Sequence, residues 1–281
     1  MKRLAVRVAY FGDRFYGSQM QPDRRTVEGE FVAACRTLKL FDDWREANFS
    51  FAGRTDRGVH SRGQVAAFST GEPDRAVAAL NLVLPEDCWC TGWAEVPERF
   101  RPRYDARTRT YRYFFPERAL DAGLMQEAAG RFVGEHDFSR FARVEDKNPL
   151  RRILSSRITA TTGGIVYEVV GESFLWNMVR CMATALWAAG EGRLTPAEVD
   201  ALLETPAGER IRAAPADGLV LWDVDCGLHF APLATDPRSR RYCSALRDEL
   251  SVRKKVMASL CRPGVDFGRQ EPVDDELRDI V

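Results

Sequence analysis

From Phe51 to Phe68 the chain reads Phe51-Ala52-Gly53-Arg54-Thr55-Asp56-Arg57-Gly58-Val59-His60, then Gly63-Gln64-Val65-Ala66-Ala67-Phe68 after two further residues. A polar turn bounded by two glycines runs into an apolar strand pattern, which sets one carboxylate at the rim of a sheet with arginines beside it. Thr-Asp-Arg-Gly is also ordinary turn chemistry, in which the Asp side chain bonds its own backbone and the Gly accepts positive φ. On those four residues alone a plain turn is the better reading. The order of motifs along the rest of the chain changes that balance.

Hydrophobic periodicity gives strand and helix patterns in two successive halves. Leu4, Val6, Val8 and Tyr10 alternate with Ala5, Arg7 and Ala9, as in a half-buried strand. After Thr26 as N-cap, Val27, Phe31, Ala34 and Leu38 share a helical face, with Glu28 and Glu30 near the positive end. Strands are expected at 64–68, 88–94 and 109–115, the last with Tyr111, Tyr113 and Phe115 on one face. The second half adds a helix near 123–132, strands near 152–160 and 165–172, a long helix from about 174 to 189, and a strand at 219–225. Thr195-Pro196-Ala197-Glu198 is a capping box with Pro at the first helical position, so a helix follows to about Glu204. Strands in hairpin-like succession with helices between them indicate an α+β fold over a doubly wound parallel sheet.

The string Gly53-Arg54-Thr55-Asp56-x-Gly58-Val59-His60 with Gly63-Gln64-Val65 resembles the central motif of the tRNA pseudouridine synthases of the TruA family. Upstream, Tyr10-Phe11-Gly12, Phe15-Tyr16-Gly17-Ser18-Gln19 and Arg25-Thr26-Val27-Glu28-Gly29 resemble the family's opening strand, loop and helix start. Downstream the resemblance continues in order through Leu84-Pro85-Glu86-Asp87, Phe100 to Ala106, Arg109 to Tyr113, Gly134 to Phe138, Phe174-Leu175-Trp176-Asn177-Met178-Val179-Arg180 and Ala214 to Leu219. It spans residues 4 to 225. The resemblance implies two α/β-type halves sharing a mixed, largely antiparallel sheet with helices packed on it and a central active-site cleft. The expected division is 1–105 with the catalytic Asp, 106–229 with a Tyr and an Arg of the site, and 230–281 as an extension whose role the sequence leaves open.

Composition fits a globular protein: 281 residues, 45% of them hydrophobic, are enough for two ordinary domains. No apolar run approaches the roughly 20 residues of a membrane span, and the first residues lack a signal peptide's apolar block, so a cytoplasmic location without membrane contact is expected. Seven cysteines and three histidines are scattered without metal-ligand spacing, which predicts buried thiols and no metal. With 41 basic and 41 acidic residues the chain is neutral, so any polyanion partner must be met by local charge. One such region is 99–118, where seven arginines face Asp105 and Glu117 alone, interleaved with Tyr104, Tyr111 and Tyr113. Arginines for phosphates among rings that stack on unpaired bases suit splayed RNA.

By the resemblance, Asp56, Tyr111 and Arg180 are the catalytic set. On the long helix Asn177, Arg180 and Thr184 lie at i, i+3 and i+7, a polar stripe among apolar positions. An arginine close to Asp56 favours its charged form and offsets desolvation in a cleft. The implied reaction isomerises uridine in RNA, needing no cofactor, which agrees with a sequence lacking any phosphate loop or dinucleotide fingerprint. Three roles stay open to the carboxylate: attack at C1′, addition to C6 of the ring, or removal of the C2′ proton. Tyr111 would stack on the uracil, and it equally suits an aromatic filling the sheet's core. Arg25, Arg54, Arg57, His60 and Arg103 are expected RNA contacts, Arg54 filling the gap of a flipped nucleotide or gripping its phosphate.

Ser18 and Arg101 replace the Trp and His usual in the family, and neither is expected to touch the catalytic set. After residue 230 the sequence turns basic at 238–241 and 253–255 and acidic at 271–279, as a docked helix, a tRNA-binding arm or a self-shielding appendage would. The function implied is pseudouridine formation in the tRNA anticodon stem-loop, at one or more of positions 38 to 40, by a homodimer. The rival is a non-catalytic RNA-binding or tRNA-folding protein.

Overall fold

A computed structural model describes residues 1–145 and 147–261; the acidic stretch at 271–279 lies outside them. In chain order the elements are β1 (Lys2–Tyr10), α1 (Val27–Thr37), β2 (Ser50–Phe51), β3 (His60–Thr70), α2 (Pro73–Val83), β4 (Cys88–Val96), α3 (Pro102–Asp105), β5 (Thr108–Phe114), α4 (Ala122–Gly130), β6 (Gly134–Asp137), β7 (Leu150–Thr161), β8 (Gly164–Gly171), α5 (Met178–Gly190), α6 (Pro196–Glu204), β9 (Leu219–Asp225), β10 (Ala231–Pro232) and α7 (Pro237–Leu260).

The described strands form one sheet in the order β10-β4-β1-β3-β9-β5-β8-β7-β6, with β2 pairing beside β3. Every pairing is antiparallel except β3 with β9, which run parallel through His60 opposite Val220 and Ser61 opposite Leu221. The fold is α+β with a mixed, largely antiparallel sheet. Its parallel seam is two residues long and joins strands 160 positions apart in sequence, as the bond from Ser61 Oγ to the Leu221 carbonyl illustrates.

Two cores follow from the strand periodicity. Leu4, Val6, Val8 and Tyr10 alternate inward with Ala66 and Phe68 against Val27, Phe31 and Cys35 of α1 and Ala76 and Leu80 of α2. The other core packs Tyr111, Tyr113, Tyr167 and Val169 of the sheet against Met125 and Ala129 of α4 and Met178, Cys181, Met182 and Ala185 of α5. Both are two-layer solutions to burying one face of a sheet. Thr26 caps α1 by accepting from Gly29 N–H, and the Thr195–Glu198 box closes the start of α6.

Several local expectations are corrected. α5 begins at Met178, four residues later than its pattern suggests, because Asn177 sits at φ 64 and breaks the helical run. α2, unanticipated in the sequence, opens on Glu72-Pro73 with no side-chain cap bond and buries Ala76 and Leu80. The thiols divide: Cys35, Cys88, Cys90 and Cys181 are buried, but Cys226 and Cys243 are half-buried and Cys261 is exposed. Of the readings for the region after 230, a docked helix describes α7. Arg238 Nη2 donates to the Leu82 carbonyl at 2.6 Å, at the negative end of α2; the Tyr242 ring meets Phe11, and Lys254 pairs with Glu117 at 2.6 Å.

Candidate active site

A cleft of about 860 Å³ opens beside the β3–β9 seam, lined from the first half by Gly53 to Arg57 and from the second by Tyr111 and Ser173 to Arg180. Asp56 and Arg180, 124 residues apart, meet in it: Arg180 Nη1 donates to Asp56 Oδ2 at 2.9 Å. The pair is mostly enclosed, with side chains 18% and 27% exposed. Arg180 is itself fixed, donating from Nε to the Ala214 carbonyl at 2.7 Å and from Nη1 to Asn177 Oδ1 at 3.3 Å. Thr184 Oγ1 donates to the Arg180 carbonyl, so the stripe at i, i+3 and i+7 is a bonded chain on the first turns of α5.

The loop that carries Asp56 is held from three sides. Gln64, fully buried at the start of β3, treats Gly53 as a strand partner, accepting from its N–H at 3.3 Å and donating Nε2–H to its carbonyl at 2.7 Å. Tyr10 hydroxyl bonds Thr55 Oγ1 at 2.8 Å. From the facing loop, Ser18 N–H donates to the Thr55 carbonyl at 3.0 Å while Ser18 Oγ accepts from Thr55 N–H at 2.8 Å. Ser18 therefore bonds Thr55, the residue next to Asp56, rather than Asp56, Tyr111 or Arg180. The approach is close enough to require glycine: a Cβ on Gly12 would lie 2.3 Å from the Val59 carbonyl oxygen, and Gly17 has φ +86 with a Cβ position 2.9 Å from that of Thr55.

Tyr111 forms part of the floor, 8% exposed, with its ring edge-to-face against Phe174 at 5.1 Å. Burial pushes its phenol up to about 12; the Arg109 guanidinium opposes that rise and the Asp56 charge adds to it. Arg109 ties the floor together, donating to the carbonyls of Glu172 at 2.7 Å, Arg103 at 2.7 Å and Ala52 at 3.1 Å. Burial lowers its own pKa.

The expected RNA contacts separate into two groups. Arg54, Arg57 and Arg103 are exposed on the cleft wall. Arg25 is not in the lining: Nη1 and Nη2 each reach Asp87 at 2.8 Å and Nε reaches Glu30 at 2.6 Å, over the Phe15 ring. A bidentate ion pair with a buried carboxylate spends the guanidinium inside the protein. His60 also lies off the cleft lining. Its Nδ1 accepts from Gly12 N–H at 2.9 Å, which places the proton on Nε2, 3.0 Å from the Asp217 carbonyl. It bridges the two halves.

Three further aromatic residues stand at the cleft, two of them, Trp176 and Tyr16, given no role by the sequence. Trp176 donates Nε1–H to Asp56 Oδ1 at 2.9 Å. Tyr104 is 75% exposed on the wall, and Tyr16 lies between the guanidinium groups of Arg24 and Arg57 at 4.6 and 4.4 Å. Tyr104 was visible among the arginines of 99–118; Trp176 carried no periodic signal, because it stands outside the helix. Among the described residues the lining counts seven basic side chains (Arg54, Arg57, Arg103, Arg109, Lys147, Arg151, Arg180) against Asp56 and Glu145, so a neutral chain has a positive groove.

A single carboxylate held by an arginine on the floor of a positive, aromatic-lined groove defines a class: enzymes that do chemistry on a nucleotide within a polyanion. A family model described as tRNA pseudouridine synthase matches residues 128–225. The chain is 60% identical over 259 residues to tRNA pseudouridine synthase A of Methanoculleus marisnigri, covering 92% of this chain and 96% of that one. It is 52% identical to that of Methanosphaerula palustris over 99% of this chain and all of the relative, and 38% identical to that of Methanothermobacter thermautotrophicus over 100% and 98%. The chain belongs to the tRNA pseudouridine synthase A family, and it is an enzyme of the isomerase class.

Proposed function

We propose that this chain converts uridine to pseudouridine in the anticodon stem-loop of tRNA, at one or more of positions 38 to 40, with Asp56 as the ionised catalytic carboxylate. The observation that carries the reading is the 2.9 Å pair of Asp56 with Arg180 on the floor of the positive cleft. A groove that only bound RNA would gain nothing from a carboxylate facing a polyanion, which disfavours the non-catalytic alternative.

In the reaction the C1′–N1 bond of the target nucleoside breaks, the freed uracil turns, C5 bonds to C1′, and the proton lost from C5 is balanced by one gained at N1. Asp56, as nucleophile or base near the sugar, starts the sequence while Arg180 keeps it charged and aimed. Tyr111 packs beneath the turning base with its phenol protonated, since burial lifts it to about 12. Arg54, Arg57 and Arg103 hold phosphates around the flipped nucleotide, and Tyr104 offers it a stacking face.

The reading includes the division at residues 105 and 229, a cytoplasmic homodimer with one tRNA spanning both subunits, and catalysis without a cofactor. The test is site-mapped pseudouridine formation in unmodified tRNA by the purified protein, with Asp56→Asn in parallel. Conversion in the anticodon arm that disappears in the variant while tRNA binding persists is the expected result. Binding without conversion by the intact protein across a full tRNA pool would overturn it.

A further inference from the structure

Both oxygens of Asp56 are engaged: Oδ2 by Arg180 and Oδ1 by the indole of Trp176, each at 2.9 Å. The two donors come from the same short segment, on either side of Asn177, whose φ of 64 turns the chain between the β8–α5 loop and the helix. That turn puts side chains four positions apart on one carboxylate although only Arg180 lies within the helix. The indole is also braced. Arg143 N–H donates to the Trp176 carbonyl at 2.9 Å, and the Arg143 guanidinium lies 4.4 Å from the centre of the Trp176 ring. The ring is 43% exposed at the cleft, so its indole N–H is held by Asp56 at the solvent-facing rim rather than in the core.

We infer that Trp176 is a positioning residue for the reaction, its indole N–H and the Arg180 guanidinium forming a two-point clamp that fixes the plane of the Asp56 carboxylate. One donor on one oxygen leaves a carboxylate free to rotate about Cβ–Cγ; a second on the other oxygen removes that freedom. An ionised carboxylate oxygen accepts more than one hydrogen bond, so Oδ1 keeps a lone pair for the sugar while bonded to Trp176. Arg143 acts one step further out, holding the ring that holds the acid. The inference rests on Asp56 being the catalytic carboxylate.

The experiment is single-turnover pseudouridine formation with enzyme in excess over unmodified tRNA, run on wild type, Trp176→Phe, Trp176→His and Asp56→Asn, with tRNA Kd and melting temperature measured for each. Trp176→Phe keeps a flat ring but no N–H; Trp176→His keeps a ring N–H donor. The expected result is a chemical step about 10- to 100-fold slower in Trp176→Phe, the range for a hydrogen bond to a charged group, with Kd within about twofold and partial recovery in Trp176→His. A Trp176→Phe rate equal to wild type overturns the inference, as does a loss that lies wholly in Kd, which would make the ring a stacking surface. Equal loss in the Phe and His variants also overturns it. Full activity of Asp56→Asn would instead overturn the underlying reading of the carboxylate, so the two failures are distinguishable.

Discussion

Ser18 and Thr55 exchange two hydrogen bonds, Ser18 N–H to the Thr55 carbonyl and Thr55 N–H to Ser18 Oγ, so the opening loop and the loop that carries Asp56 are laced together. Ser18 is fully buried. Ser18→Ala leaves the Thr55 N–H without its acceptor, which costs about 1–3 kcal/mol for a buried donor. The expected outcome is a lower urea midpoint together with slower pseudouridine formation, because the released residue adjoins Asp56. A variant with wild-type stability and rate would show that the lacing does not position the loop.

Arg180→Lys tests geometry against charge. Lysine supplies the cation but not the planar fork that bonds Ala214, Asn177 and Asp56 together. The rate of the chemical step should fall at least about tenfold while tRNA affinity stays within about twofold. Single-turnover kinetics beside filter binding separates the two.

Arg54 and Arg25 should behave oppositely. Arg54→Ala removes a cation from the cleft wall, so tRNA affinity falls and the slope of log affinity against log salt shrinks by about 0.7–0.9. Arg25→Ala orphans the buried Asp87 carboxylate, so it should lower the denaturation midpoint and leave the salt slope unchanged.

Tyr111 gives a pH dependence with a definite sign. Its phenol titrates near 12 in the folded chain and near 10 unfolded, so between those values the native state holds the extra proton. Stability is therefore full below pH 10 and is lost as pH rises toward 12. Tyr111→Phe should flatten that decline in unfolding midpoints measured from pH 9 to 12; an unchanged slope would refute the assignment.

The parts of the fold set by local chemistry were legible. Thr26 and the Thr195–Glu198 box are caps whose partners lie within three residues, and strand 219–225 has the bounds its alternation implies. Motif order singled out Asp56, Tyr111 and Arg180, and the structure places all three along the same cleft. Trp176, Ser18 and the task of His60 were not legible, because each is defined by a partner 37 to 157 residues away. Arg25 misled for the same reason: an arginine in a motif carries no mark of whether its carboxylate partner is in the protein or its phosphate partner in the RNA.

The seam between β3 and β9 also sets a clock. Strand β9 arrives last of the elements around the cleft, and Arg180 follows Asp56 by 124 residues. At roughly 5–20 residues per second of synthesis, the carboxylate waits on the order of ten seconds for its guanidinium. Until then the ribosome holds a chain with half a groove. The groove is complete only once β9 has been made.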